Sequence, residues 1–205
     1  MKTKDTNTEE RILNAAKEVF MTYGLYGARM QDIANRAKIN KALLHYYYRS
    51  KEKLFDTVFE GALEKYFEQM RVFADTSLPI QERIFKYIDN IIDFFQEYPQ
   101  MSVFIIKEIS INPELFHQKI THLKRETGIP LMSLLKQGIK EGELSDFDYV
   151  TFMINLHSLC AYPFIASPIF KAIIDRNNEQ YIDPNNDKLK ASIKDFVSHK
   201  FTFHS

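Results

Sequence analysis

The feature that most constrains the fold is the spacing of the apolar residues, which recur at intervals of three and four along nearly all of the 205 residues. This period places apolar side chains on one face of an α-helix, whereas a half-buried strand requires strict alternation. Alternating runs bounded by turn residues are nearly absent. The sequence therefore predicts an all-α protein of about nine helices.

Glycine, proline and capping residues divide this pattern into segments. The first predicted helix begins at a capping box formed by Thr6 and Glu9 and ends at Gly24. Two short helices follow at about 30–37 and 41–48, with Asn40 as the cap of the second. The remaining predicted helices are 50–74, 80–98, 100–111, 113–141 with an interruption at 128–130, 146–162 and 186–201, and residues 163–184 are predicted to be irregular or to hold only short helices.

Composition narrows the class of protein. With 45% apolar and 26% charged residues, the chain is typical of globular proteins. No run approaches the length of a membrane-spanning helix, and the first thirty residues lack the basic-then-apolar order of a secretory signal. The single cysteine, Cys160, excludes an internal disulfide and a cysteine zinc cluster. We expect a cytoplasmic protein without membrane contact.

The net charge of zero hides an uneven distribution. Residues 1–55 contain eleven basic and six acidic side chains, so this segment carries +5 and the remainder −5. A basic segment on a neutral protein is the expected footprint of phosphate binding, although an excess of this size also occurs on ordinary solvated surfaces. The charge distribution is therefore compatible with nucleic-acid binding but does not by itself indicate it.

The N-terminal segments carry the more specific signal. Two short helices joined by a tight turn and supported by a preceding helix form the geometry that inserts one helix into the major groove. Ala34 is expected where the two short helices cross, and Ile39 and Leu44 are expected to fill the angle between the second short helix and its supporting helix. The runs Gly27 to Ala34, Ala37 to Lys41 and Leu44 to Leu54 resemble the signature of the TetR family of transcriptional regulators.

The resemblance covers about the first 60 residues, and it implies two domains. These are a three-helix, helix-turn-helix DNA-binding head at 1–52, with its motif at about 30–49, and a larger helical body at 53–205 for ligand binding and dimerisation. The expected partners are double-stranded DNA, a second copy of the chain and a small-molecule effector. The implied function is a transcriptional regulator, in particular a repressor that a small, largely apolar ligand releases from its operator.

The resemblance also implies a set of DNA contacts. The second short helix would face the groove, where a lysine donates to guanine and an apolar side chain packs on a thymine methyl group. Tyr47 and Lys51 would contact phosphates, and Gln31 the backbone or bases. The expected DNA-binding residues are Arg29, Gln31, Asn40, Lys41, Leu43, His45, Tyr46, Tyr47 and Lys51.

Some of these positions have a structural alternative. Tyr46 and Tyr47 would also suit a packed aromatic cluster, and Tyr48 is assigned to the core because it follows Leu44 by four residues. Lys38 stands in the turn where the family usually has glycine, so a left-handed backbone is expected there at some energetic cost. Arg29 replaces the serine or threonine that often caps the first motif helix, which alters that phosphate contact.

The body combines apolar helices with few polar groups. Helices that are apolar on several faces are interior, and either a tight core or a ligand cavity accounts for them. The expected ligand-lining residues are Phe94, Tyr98, Phe104, Phe152, Leu156 and His157. The amphipathic last helix is expected to form the dimer interface through Leu189, Ile193, Phe196 and Val197.

Other functional classes receive less support. His157 and Cys160 share a helix face, yet no further ligands or orienting acid accompany them, so core or pocket lining is the preferred interpretation. We expect no catalytic activity, no metal and no cofactor. A helical binding protein without DNA affinity would share the apolar body but not the paired-helix motif.

Overall fold

The computed structural model describes residues 2–114, 117, 130–175 and 187–200. Within these ranges it contains ten α-helices and one 3₁₀ helix, which confirms the all-α prediction. The elements are α1 Lys2–Gly27, α2 Met30–Arg36, α3 Lys41–Tyr47, α4 Lys51–Glu68, the 3₁₀ helix Arg71–Ala74, α5 Ile80–Glu97, α6 Pro99–Ile111, α7 Pro130–Glu141, α8 Tyr149–Ile165, α9 Ser167–Asp175 and α10 Asp187–Lys200.

Several boundaries differ from the predicted ones. Helix α1 begins at Lys2, ahead of the predicted capping box at Thr6. The predicted helix 50–74 ends at Glu68, where the chain tightens into turns and a 3₁₀ helix that buries Phe73. Helix α8 begins at Tyr149 because the Asp148 carboxylate accepts the first free N–H groups. Residues 115, 116 and 118–129 of the predicted helix 113–141 lie outside the described residues.

The first of two compact units consists of residues 1–64 and 104–116. Its core is aromatic where α1, α4 and α6 meet. The Phe55 ring packs edge-on against Phe20 at 5.1 Å between centroids and stacks on Phe59 at 5.7 Å. Phe104 of α6 packs against both Phe55 and Phe59. These contacts hold the helices that support the paired-helix motif.

The second compact unit consists of residues 65–103 and 117–205. Helix α5 lies at its centre, with nine buried residues, and packs against α8, α10 and the 3₁₀ helix. Buried Arg83 is satisfied by donating to the carbonyl groups of Leu78 and Phe73. Close packing requires Gly138 on α7, because a Cβ there would lie 2.5 Å from Ile80 Cδ1.

No single helix in the described part of the chain is long and apolar enough to span a membrane. Helices α8 and α9 reach the necessary length and composition only together, and the pair is bent by 63°.

Candidate functional site

The paired-helix motif of the first unit is formed by α2, the turn 37–40 and α3. Ala34 is fully buried, as expected for the residue where the two helices cross, and Leu44 is fully buried on the inner side of α3. The Ile39 N–H donates to the Ala34 carbonyl at 3.0 Å, which closes the turn. The motif therefore has an interior of its own, and this interior fixes the angle of α3.

The turn contains the expected strained residue. Lys38 has a φ of 55°, the left-handed conformation that glycine adopts most readily. Two carbonyl groups at this turn are satisfied by Arg11 of α1, whose guanidinium donates to the oxygens of Ala37 and Lys38. The sequence did not reveal that Arg11 stabilises this turn, because Arg11 lies 26 residues before Ala37.

Helix α3 begins at the predicted cap. The Asn40 side chain accepts a hydrogen bond from the Leu43 N–H at 2.7 Å. At the start of α2, in contrast, Arg29 makes no side-chain cap, so its guanidinium is not used to close the helix. Asn40 thus positions α3, while Arg29 is an exposed positive charge at the entrance to α2.

The outer face of α3 presents the predicted base-reading side chains to solvent. Lys41, Leu43, His45 and Tyr46 are all exposed, and Tyr46 retains 81% of its accessible surface. Tyr47 is half-buried, with its ring 5.6 Å from that of Tyr46 in an edge-on arrangement. A face of this composition offers donors, an apolar contact and aromatic hydroxyls to a groove.

Residues around α3 are fixed by local hydrogen bonds. Lys51 Nζ donates to the Ala28 carbonyl at 3.2 Å, and Gln31 Nε2 donates to Asn35 Oδ1 at 2.9 Å. Lysine has three donors, so this bond leaves Lys51 able to bind a phosphate.

Tyr48 is less buried than predicted. It lies half-buried at the edge of the head, where its hydroxyl donates to Glu9 Oε1 at 3.3 Å. Burial, together with the charge of Glu9, raises the pKa of Tyr48 to about 12. The assignment to the core is therefore replaced by an edge position, which the polar hydroxyl requires.

Comparisons with known proteins agree with this geometry. Residues 12–58 match the family described as "Bacterial regulatory proteins, tetR family". The chain is 34% identical over 195 residues to the HTH-type transcriptional repressor SCO4008 of Streptomyces coelicolor, which covers 93% of this chain and 95% of that protein. The chain belongs to the TetR family.

Other relatives extend the comparison. The HTH-type transcriptional regulator RutR of Escherichia coli K12 is 28% identical over 148 residues, covering 71% of this chain and 69% of RutR. The crystal structure of the putative transcriptional regulator SCO4942 from Streptomyces coelicolor has the same fold, with a TM-score of 0.73, 24% identity and coverage of 96% and 99%. The protein is accordingly a transcriptional regulator of the TetR family.

In this TetR-family chain the residues predicted to line a ligand site fall into both compact units. Phe94, Phe152 and Leu156 are buried in the second unit, and Tyr98 and His157 are half-buried there. Phe104 belongs to the first unit. The ligand-lining role of all six residues stays a prediction.

Two tyrosines of the second unit complete the surroundings of His157. The Tyr66 hydroxyl on α4 lies 3.1 Å from both ring nitrogens, and the Tyr87 hydroxyl on α5 lies 3.2 Å from Nδ1. We call Tyr66, Tyr87 and His157 the Tyr–His cluster. The sequence did not reveal this cluster, because its members are separated by 21 to 91 residues.

Burial dominates the electrostatics of the Tyr–His cluster. It raises the pKa of Tyr66 and Tyr87 above the ordinary tyrosine value and lowers the pKa of His157 below the ordinary histidine value. Burial also raises the pKa of the Cys160 thiol to about 12. The cluster is therefore neutral at physiological pH and offers hydrogen bonds rather than charge.

The four residues predicted for the dimer interface differ in how deeply they are buried. Ile193 and Val197 are buried within the chain itself, with 4% and 1% of their surface exposed, so they offer no surface to a second copy. Phe196 is 45% exposed and Leu189 is half-buried. Phe196 lines an open groove with residues of α8, namely Asn155, Ser158, Leu159, Tyr162 and Pro163.

Among the described residues, no group of three His, Cys, Asp or Glu side chains is placed to hold a metal ion.

Proposed function

We propose that this protein is a repressor that binds operator DNA as a homodimer through α3 and is released by a small, largely apolar ligand bound in the body. The observation that carries the DNA-binding part is the exposed face of α3, where Lys41, His45 and Tyr46 stand on a helix fixed from behind by buried Leu44. Residues 1–52 are proposed as the DNA-binding domain and 53–205 as the ligand-binding and dimerisation domain. The relative SCO4008 is named a repressor, which supports repression rather than activation.

In this proposal the side chains have separate roles. Lys41, Leu43 and His45 read base edges, with Gln31 beside them. Arg29, Tyr47 and Lys51 bind phosphates, and Asn40 holds α3 through its cap. Tyr46 contributes its exposed ring and hydroxyl to the groove. Phosphate contacts dominate affinity, whereas base contacts select the sequence.

The phosphate role is tested by salt dependence. The probe is a duplex selected by the wild-type protein from a random-sequence pool. Lys51→Ala should lower the magnitude of the slope of log affinity against log salt by about 1. A phosphate that the protein no longer contacts keeps its bound counterion, so about one ion fewer is released on binding. Lys53→Ala is the matched control, since Lys53 is exposed two residues away and has no proposed contact. Equal slopes for Lys51→Ala and the wild type would remove Lys51 from the interface.

The base-reading role is tested by specificity. His45→Ala should reduce the preference for the selected duplex over a scrambled one by roughly fivefold or more, because a lost base contact costs about 1–3 kcal/mol. Binding to the scrambled duplex should stay nearly unchanged. An equal loss on both duplexes would contradict base reading by His45.

The second copy is proposed to pack against the groove lined by α8 and Phe196. Tyr162 on α8 is 54% exposed and Phe196 on α10 is 45% exposed, so the groove leaves aromatic surface in contact with water. Covering this surface is favourable, and a two-fold symmetric dimer presents two copies of α3 to the two halves of an operator. Leu189 and Phe196 remain in the proposed interface, whereas the buried Ile193 and Val197 do not.

Sedimentation tests the interface. Phe196→Asp should convert dimers to monomers, because it places a charge on the lining of the apolar groove. Tyr26→Asp is the matched control, since Tyr26 is 73% exposed and lies in the first unit. Persistence of the Phe196→Asp dimer would move the interface elsewhere.

The ligand is proposed to bind near Phe94, Tyr98, Phe152, Leu156 and His157, with the Tyr–His cluster as its polar anchor. Tyr66 and His157 are half-buried, so both retain accessible surface, although burial shifts the pKa of both groups. A mostly apolar lining with a few convergent polar groups is typical of ligand sites. The ligand would be apolar with one hydrogen-bonding end.

Release requires that the ligand favour one arrangement of the two heads, because equal affinity for both arrangements shifts nothing. Helix α4 belongs to the first unit up to Glu64 and to the second unit from Lys65 onward. A movement of this helix in the second unit can therefore be transmitted along the chain to the first unit. We propose that the ligand displaces the helices around Tyr98, tilts α4 and changes the separation of the two copies of α3.

The ligand site is tested with a series of straight-chain alcohols, ketones and carboxylic acids. The chain contains no tryptophan, so Phe152→Trp provides a single fluorescent reporter at the proposed site. A compound that binds should alter this fluorescence and weaken binding to the selected duplex, and Tyr66→Phe should weaken the compound's binding. A compound that binds without changing DNA affinity would refute the coupling, and unaltered affinity in both variants would place the site elsewhere.

The proposal includes no catalytic step. The named relatives are transcriptional regulators, and binding to DNA and to an effector accounts for the groups described. We further propose that the protein acts in the cytoplasm, where its DNA target would be found.

A further inference from the structure

The Tyr87 hydroxyl determines which way the hydrogen bonds of the Tyr–His cluster run. Tyr87 is only 2% exposed, and His157 Nδ1, at 3.2 Å, is the one hydrogen-bond partner that the described residues offer to its hydroxyl. A buried hydroxyl proton without an acceptor costs free energy. The Tyr87 hydroxyl therefore donates to Nδ1, because the reverse bond would leave this proton unpaired.

This direction places the proton of the His157 ring. A neutral imidazole has one N–H donor and one acceptor nitrogen. Burial lowers the pKa of His157, so the ring is neutral at neutral pH. The Tyr66 hydroxyl lies 3.1 Å from both ring nitrogens, but the lone pair of Nδ1 is already occupied by Tyr87. The ring proton is therefore on Nε2, and His157 donates it to the Tyr66 oxygen.

Tyr66 is left with a proton to donate. Its oxygen accepts from His157 Nε2, and the described part of the chain places no acceptor other than the His157 ring within reach of its own O–H. Tyr66 is half-buried, so water can accept this proton in the free protein. A ligand that displaces the water must supply an acceptor in its place, or the donor is left unpaired.

The surroundings of Tyr66 favour an acceptor without charge. The rings of Phe67, Phe94 and Phe95 pack around it, with centroids 5.3 to 6.3 Å away. Arg83, the buried cation among the described residues of this unit, already donates to two backbone carbonyl groups. A carboxylate next to the Tyr66 hydroxyl would therefore lose hydration without gaining a buried counter-charge, which is unfavourable.

We propose that the Tyr–His cluster selects ligands whose polar end is a neutral hydrogen-bond acceptor, namely the carbonyl group of a ketone, aldehyde or ester, which accepts from the Tyr66 hydroxyl. This selectivity rests on the proposed ligand site in the body. An alcohol fits less well, because the alcohol and Tyr66 together bring two hydroxyl protons and one of them stays unpaired. A carboxylate or an ammonium group fits worst, because it brings a charge.

The direction of the hydrogen bonds is tested in the wild-type protein without any ligand. Nitrogen-15 NMR of protein labelled at histidine shows which ring nitrogen carries the proton. The chain has six histidines, so comparison with His157→Asn identifies the signals of His157. At about pH 8, well above the ordinary histidine pKa, we expect a protonated Nε2 and an unprotonated Nδ1. A proton on Nδ1 would overturn the assigned directions and the selectivity built on them.

The ligand class is tested by calorimetric titration with straight-chain methyl ketones and with the secondary alcohols, carboxylic acids and amines of equal carbon number. Each ketone should bind about fivefold or more tightly than its alcohol, because one buried proton is then not left unpaired. The acid and the amine should bind no more tightly than the alcohol. A series in which no ketone binds would overturn the assigned class. So would an acid that binds most tightly, a result expected if ligands pair with the exposed Lys65 beside Tyr98.

A tyrosine substitution tests the donor itself. Tyr66→Phe should lower the affinity of the ketone by about fivefold or more, because the carbonyl loses its hydrogen bond. Tyr149→Phe is the matched control, since Tyr149 begins α8 in the same unit and packs against Lys136. Equal affinities in the two variants would contradict the role of the Tyr66 hydroxyl. If Tyr66→Phe does not fold, the NMR measurement and the wild-type titrations still decide the outcome.

Failure of the ligand class and failure of the proposed function give different results. A ketone that binds as expected and leaves the affinity for the selected duplex unchanged would contradict release by a ligand, while the selectivity of the Tyr–His cluster would stand. A ketone that releases the duplex but binds no more tightly than its alcohol would overturn the selectivity alone.

Discussion

The two compact units use their polar side chains in opposite ways. In the first unit the polar groups near α3 are exposed and bonded to nearby backbone, as Asn40 is to Leu43. In the second unit Tyr87 is buried, Tyr66 and His157 are half-buried, and both tyrosine hydroxyls bond to the His157 ring. Substitutions in the first unit should therefore change DNA binding, and substitutions in the second should change stability and ligand binding.

The largest expected effects come from the two cores. Leu44→Ala in α3 and Leu156→Ala in α8 should each lower the free energy of unfolding by roughly 2–5 kcal/mol, because both side chains are almost fully buried. Only Leu44→Ala should also abolish binding to the selected duplex at temperatures where the protein remains folded. Denaturant unfolding and DNA titration test this pair of variants. An equal loss of DNA binding in Leu156→Ala would contradict the separate roles of the two units.

A smaller loss is expected at the Tyr–His cluster. His157→Phe leaves the hydroxyls of Tyr66 and Tyr87 without their partner. Only Tyr87 is buried, so the expected cost in denaturant unfolding is that of one unsatisfied buried hydroxyl, about 1–3 kcal/mol. Replacing all three residues of the cluster by phenylalanine should recover most of this loss, since no polar group is then left unpaired. A triple variant less stable than His157→Phe would show that the hydroxyls bond elsewhere.

Acid should destabilise the wild-type protein through His157 of the same cluster. Because burial lowers the pKa of His157, the unfolded chain binds the imidazole proton more readily than the folded chain. Stability is therefore retained above the unfolded pKa of about 6.5 and lost as the pH falls below it. Unfolding midpoints should decline less with acid in His157→Asn than in the wild type. Parallel curves would mean that His157 does not titrate differently on folding.

The smallest effect on stability is expected at the exposed face of α3. Tyr46→Ala should change the free energy of unfolding by less than about 0.5 kcal/mol, because the ring is 81% exposed. The same substitution should weaken binding to the selected duplex. Loss of stability without loss of DNA affinity would place Tyr46 in the packing of the head instead.

Much of the head was predictable because its signals are local. The helix break at Gly24, the Asn40 cap and the buried Ala34 follow from neighbouring residues, and the left-handed Lys38 follows from the resemblance to the family turn. Arg11 escaped prediction because it reaches the motif from 26 residues away in the chain. Tyr48 was misplaced because helical spacing does not reveal that Glu9 holds its hydroxyl at the edge.

The body was predictable only as a set of helices. Apolar periodicity indicates that α5 and α8 are interior, but it does not pair Tyr66 and Tyr87 with His157. It also did not distinguish the faces of α10, where Val197 packs inward while Phe196 points to solvent. Both outcomes depend on which helices meet, and this information lies in residues far apart in sequence.

The central claim is that the exposed face of α3 reads a DNA sequence. The most direct test is a competition at fixed salt between the duplex selected by the wild-type protein and a scrambled duplex of the same composition. If α3 reads the sequence, the selected duplex should be preferred by at least about a thousandfold, with two chains bound per site. Equal affinity for the two duplexes would contradict this claim.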